Sequence, residues 1–282
     1  MTLKKCCLIM VIALFLQGCG LKFWYNRLDW VVPWYVDDFV ELTSSQEEQL
    51  EQLMVSKTRW HRTSELPKYI EWVDKLASDI ESETVEQNYD LHRKQIQGFF
   101  STLLNEVGID VVMMMTELTD SQVTELIDTL EEEDADYMEE YKDESEEERV
   151  DQRKENLKDS LEEWVGRLSK EQRAIVREWA KNIKGTTEAR MAYRESWRAE
   201  LKRILAYRET EDGKKQLQDL FKNFDQYRTP ELRALYEHNN ALTRENLIRL
   251  SKTMSEKQKK KMIERLNNYK EDFSDLLADA EE

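Results

Sequence analysis

The sequence predicts an all-α protein, a multi-helix bundle of long amphipathic helices with short connections, on three observations. Glycine and proline number only 7 and 3 in 282 residues, well below their usual share, and sheets and long loops need them at turns. A helix-start signature occurs four times. Between those starts, apolar residues return every three or four positions, the period of a helix with one buried stripe.

The N-terminus reads as a leader. Lys4 and Lys5 precede a short apolar core, Leu8 to Leu16, too short to span a bilayer and typical of a secretory signal. Its end, Leu16-Gln17-Gly18-Cys19, resembles the bacterial lipobox. That resemblance implies cleavage after residue 18, acylation of Cys19 and attachment to a membrane. Each buried methylene contributes roughly 0.8 kcal/mol, so several acyl chains hold a protein firmly. Cys6 and Cys7 leave with the leader, and Cys19 has no second thiol with which to form an internal disulfide. Gly20, not Asp, follows Cys19, which in the usual sorting rule implies the outer membrane, facing the periplasm.

Residues 19–41 form an aromatic N-terminal segment carrying Phe23, Trp24, Tyr25, Trp30, Trp34, Tyr35 and Phe39. Aromatics beside a lipid anchor suit a membrane interface. Asp29, Asp37 and Asp38 would be repelled by an anionic surface, so packing onto the body is the expected role.

The helix-start signature is Leu42-Thr43-Ser44-Ser45-Gln46, Leu118-Thr119-Asp120-Ser121-Gln122, Leu168-Ser169-Lys170-Glu171-Gln172 and Met254-Ser255-Glu256-Lys257-Gln258. Each is a capping box with a staple residue before it. The hydroxyl accepts from the third helical N–H, and the glutamine reaches back to the N-cap N–H. Spacings of 76, 50 and 86 residues are too uneven for a fixed-repeat solenoid. Apolar stripes follow: Val85, Tyr89, His92, Ile96, Phe99 and Leu103; Leu157, Leu161, Trp164 and Leu168; Tyr193, Trp197, Leu201 and Ile204; Met262, Leu266, Tyr269, Phe273 and Leu276. Such stripes bury against one another in a bundle. Only Val107 to Met115 is ambiguous between helix and strand. Residues 131–148 hold twelve acids and one base, Lys142, and such crowding favours a solvated helix face or a hinge. The expected organisation is therefore leader 1–18, anchor segment 19–41, helical half 42–130, acidic stretch 131–148 and helical half 149–282.

The net charge of −17 becomes about −19 once the leader removes Lys4 and Lys5. Such a chain is repelled by phosphates, which argues against nucleic-acid binding. After residue 18 no apolar run approaches the roughly 20 residues of a bilayer span, so the body is expected to be water-soluble. HExxH, GxSxG and glycine-rich phosphate loops are absent, and no cofactor, metal or enzyme activity is expected. The acidic stretch lacks the glycine turn and ligand alternation of an EF-hand.

The densest cluster of chemistry is Trp60-His61-Arg62-Thr63-Ser64-Glu65-Leu66-Pro67-Lys68-Tyr69. Trp60, His61, Arg62, Glu65 and Tyr69 form a candidate partner-binding patch. The competing reading is a tight helical hairpin, with His61 and Arg62 closing one helix and Pro67 opening the next. His92, on an apolar stripe, reads as a satisfied core histidine, and His238, Asn239 and Asn246 as residues that fix helix register, with the lining of a pocket as the alternative.

The lipobox, Tyr25-Asn26-Arg27-Leu28-Asp29-Trp30, the first LTxxQ element and the WHRxxELPxY segment together resemble a family of uncharacterised bacterial lipoproteins. That resemblance implies a localisation and no activity. The LTxxQ elements are also similar to those of periplasmic stress chaperones of the Spy and CpxP type, which are shorter and unlipidated. The expectation is a lipid-tethered helical bundle that binds another protein as a chaperone or client binder. A structural factor of one envelope complex and an enzyme of unrecognised type are the alternatives.

Overall fold

All four glutamine boxes start helices in the computed structural model of the chain, which describes residues 21–280. The expected leader and Cys19 lie outside the described residues. Helices α1 (Leu21–Tyr25) and α2 (Leu28–Val36) form a short arm. The box at Thr43 and Gln46 then opens α3 (Ser44–Trp60). A π-helical turn, His61–Glu65, passes without interruption into α4 (Leu66–Glu81). Next comes α5 (Val85–Thr116), followed by α6 (Asp120–Asp143) on the second box. A capping box that the sequence reading passed over, Ser145 with Glu148, starts α7 (Glu146–Val165). The remaining helices are α8 (Lys170–Asn182), α9 (Thr187–Leu205), α10 (Glu211–Lys222), α11 (Pro230–Ser251) and α12 (Glu256–Ala278). Every regular element among the described residues is helical, so the all-α bundle holds. Val107 to Met115 lies within α5.

The core does not divide as the chain order suggested. Val112, Leu118 and Ile127 pack with Leu201, Ile204, Leu205, Leu217 and Leu220, joining α5 and α6 to α9 and α10. The C-terminal helix α12 packs along α4, with Leu266 against Val73 and Ile80. Halves 42–130 and 149–282 are therefore interleaved at these two clusters, although the clusters around Val176 and Trp179 are built from residues 149–282 alone. In residues 131–148, helix α6 runs on to Asp143, and the break falls at Glu144 and Ser145. Asp134, inside that acidic stretch, is mostly buried and takes both Arg194 and Arg198 of α9, whereas most of the stretch's other acids are exposed, as on a solvated helix face.

Helix α5 departs from the reading of the apolar runs. Its 32 residues contain an 18-residue window apolar enough, by length and composition, to cross a membrane. Glu106 and Asp110 interrupt that run, and Lys57 of α3 holds both, at 2.9 and 2.7 Å.

Candidate functional site

The four glutamines of the boxes do more than cap. Gln46 donates from Nε2 to Gln122 Oε1 at 3.2 Å, and Gln122 donates back to Gln46 Oε1 at 2.7 Å. Each also donates across to the chain before its partner, Gln46 to the Glu117 carbonyl and Gln122 to that of Glu41. Gln172 and Gln258 repeat the arrangement, at 3.1 and 2.9 Å, with the carbonyls of Thr253 and Arg167. Elements 76 and 86 residues apart thus form two reciprocal clasps. All four side chains are buried, and each amide has its donors and acceptor occupied, as burial demands.

Around Trp60 to Tyr69 the hairpin is replaced by one continuous helix with a π-turn. Pro67 explains it. Its ring cannot donate a backbone bond and would press on the carbonyl four residues earlier; a widened turn, in which Leu66 N–H donates to the His61 carbonyl, relieves both. Single π-turns of this kind frequently mark functional positions. The turn separates the patch residues. His61 Nδ1 lies 2.7 Å from the Tyr25 hydroxyl of α1, and its Nε2 lies 3.1 Å from that of Tyr69. Burial pushes Tyr25 up to about 12, against the opposing pull of Arg62, and holds His61 below its ordinary range. The Arg62 guanidinium bonds Asn26 at 2.6 Å and lies over the Tyr25 ring. Tyr69 packs inward on Phe99 and Phe273. Glu65 is buried and bonded to Lys68 at 2.6 Å, and Trp60 meets the His61 ring edge-on. The structure brings together His61, Arg62 and Tyr69 with Tyr25 as a joint between the N-terminal arm and the body. Trp60 touches this joint only through the His61 ring edge, and Glu65 acts on His61 and Tyr69 through its charge and not by a hydrogen bond.

His61 also ends an apolar groove of about 450 Å³ between α2, α3 and α5, which reaches Gln46 at its other end. One wall is Leu103, Val107, Val111 and Met114 of α5. The same face continues through Ile96 and Phe100, steps of four, three, four, four and three residues along α5. There it leaves the groove and meets solvent, with Phe100 56% and Ile96 50% exposed. Large apolar side chains grouped in this way on a surface mark interaction sites. Sequence reasoning found part of this stripe and assigned it to the core. Its periodicity was visible, but the lack of a covering helix was not.

The aromatic arm is only partly packed. Tyr25, Val32, Val36 and Phe39 line the groove. Phe23 and Trp30 project outward, and Trp30 stacks on Trp34 at 6.5 Å, so the expectation of packing holds for one side of the arm. His92 is buried with Nε2 2.8 Å from Asp79. Asp79 also accepts from Thr84 and Asn88; burial alone would raise its pKa, and these bonds hold it below the usual range. Asn239 clamps both backbone groups of Lys184, and His238 reaches the Asn182 carbonyl, fixing α11 against the α8–α9 connection. Asn246 differs from expectation. It is buried but bonds within α11, to Leu242 and Arg249, and sets no register.

A family described as "Family of unknown function (DUF6279)" matches residues 38–233. The chain belongs to that family. The DUF6279 match spans the first clasp, the π-turn and all of α5. No curated protein and no solved structure matches the chain.

Proposed function

We propose that this DUF6279 protein is a lipid-tethered component of the bacterial envelope that binds an extended apolar segment of another protein along α5. The anchor is Cys19, and the compartment is the periplasm at the outer membrane. The observation that carries the reading is the apolar stripe of α5 that is exposed at Ile96 and Phe100 and continues as the wall of the groove ending at His61; Leu91, Ile109 and Met113 are exposed on the opposite side of the helix. An amphipathic or extended segment laid on such a face buries its own apolar side chains at roughly 25 cal/mol per Å² removed from water. The acidic surface elsewhere keeps the particle soluble while that face stays open.

The test is suppression of client aggregation. Full-length protein and its Ile96→Asp/Phe100→Asp variant are compared on an unfolded outer-membrane barrel protein diluted from urea. Wild type is expected to slow aggregation at near-stoichiometric ratios, and the variant to lose most of that effect while keeping its helicity. Equal suppression by both, or none by either, would rule out α5 as the binding face. Lipidation is tested separately, by mass spectrometry of protein from its native host: an unmodified thiol at Cys19, or an uncleaved leader, removes the tether.

A further inference from the structure

A second and larger opening adjoins the exposed end of the α5 stripe, since Ile96 is among its lining residues, and it carries charge at its mouth. Helices α4, α5, α7, α11 and α12 line a half-open cleft of about 950 Å³. Its volume is at the upper end of the roughly 300–1,000 Å³ of small-molecule sites. The depth is apolar: Leu76, Leu161, Trp164, Val165, Ile248 and Met262 are among its walls. The mouth is polar. Lys252 pairs with Glu86 at 2.7 Å, and Lys259 pairs with Glu83, so both mouth carboxylates are taken. Arg93 remains, half-buried on the α5 side and bonded to no described residue.

A guanidinium is planar, permanently charged and suited to two-point contact with a carboxylate or phosphate. Here it stands at the entrance of a long apolar chamber, in a protein whose net charge of −17 otherwise repels anions. We infer that this chamber binds an anionic amphiphile, with one acyl chain between Leu161, Trp164 and Met262 and its carboxylate or phosphate head on Arg93. The head and the chain are both needed. The walls alone accept any apolar chain, whereas Arg93 selects one that ends in negative charge. Free fatty acids and anionic phospholipids share this chemistry.

Trp72 and Trp164 both line the chamber, so a brominated acyl chain that enters will quench them. The full chain, held in a non-ionic amphipol, is titrated with dibromostearate, with its uncharged methyl ester, and with dibromo-phosphatidylglycerol. Saturable quenching by stearate or by phosphatidylglycerol, at least tenfold tighter than by the ester, is expected, and the anion that achieves it identifies the source. Arg93→Gln should remove the preference for the anion and leave ester binding unchanged. Trp72→Phe/Trp164→Phe should lose the saturable component. Linear quenching by every probe, equal affinity for acid and ester, or saturable quenching that persists without both tryptophans would each overturn the assignment. The readout is independent of client aggregation, so either reading can fail alone.

Discussion

Gln46 and Gln122, 76 residues apart, hold each other by two reciprocal amide bonds, each while capping its own helix. Removing one leaves the other's amide buried without a partner, which costs about 1–3 kcal/mol. Gln46→Leu is therefore expected to lower the denaturant midpoint clearly. The Gln46→Leu/Gln122→Leu double variant should cost less than the two singles added, because no orphaned amide remains to face its lost partner. Additive losses in chemical denaturation would show that the two glutamines act only as separate caps.

The joint at His61 makes a pH prediction. Burial depresses its pKa, although Glu65 pulls the other way. As pH falls through about 6.5 the unfolded chain takes up the proton first, so stability is full above that value and declines in acid until the folded imidazole also protonates. Tyr25, raised to about 12 by burial, acts at the alkaline end. Its contribution is full below about 10 and lost as pH rises from there. Unfolding of wild type and His61→Gln, followed between roughly pH 5 and 8, should show a shallower acid slope in the variant. Identical slopes would assign the acid sensitivity elsewhere.

Two glycines give opposite expectations. A Cβ on Gly213 would stand 2.3 Å from the Tyr207 carbonyl oxygen, a backbone atom with little room to yield. Gly213→Ala should destabilise by about 1–3 kcal/mol. Around Gly98, in the interior of α5, nothing lies within 4 Å, and Gly98→Ala should stabilise by roughly 0.5–1 kcal/mol through helix propensity. Thermal unfolding of the two variants is expected to shift in opposite directions.

Arg208 is a buried cation serving backbone acceptors. It donates to the carbonyls of Leu118 and Leu205, next to the first clasp. Its ion pair with Asp120 reaches a fully exposed carboxylate and contributes little. Arg208→Met should therefore cost at least about 1.5–3 kcal/mol, whereas Asp120→Asn should be nearly silent. Arg208→Lys should not restore stability, because a single ammonium cannot span both carbonyls. Equilibrium unfolding of the three variants checks the ranking.

The helices were legible because their signals are local. Thr43 and Gln46, or Ser255 and Gln258, need only three residues of separation to declare a helix start. A stripe such as Met262, Leu266, Tyr269 and Phe273 needs only a few turns. The site was legible in part. His61 was singled out, but its partner Tyr25 lies 36 residues away, and no local pattern links the two. Pro67 pointed to a chain reversal by the usual rule for a first-turn proline. The π-turn satisfies the same steric demand without reversing the chain, so proline chemistry alone could not choose between them.

By itself the sequence determined the helical class, the starts of the helices opened by glutamine boxes and the apolar face of each, since all three follow from interactions within one or a few turns. Tertiary structure alone decided that the glutamines pair across 76 and 86 residues, that the two halves interleave, and that the α5 stripe is left uncovered from Ile96 to Phe100. Which stripe covers which depends on the shape and volume of surfaces distant in the chain, and periodicity carries no information about its partner.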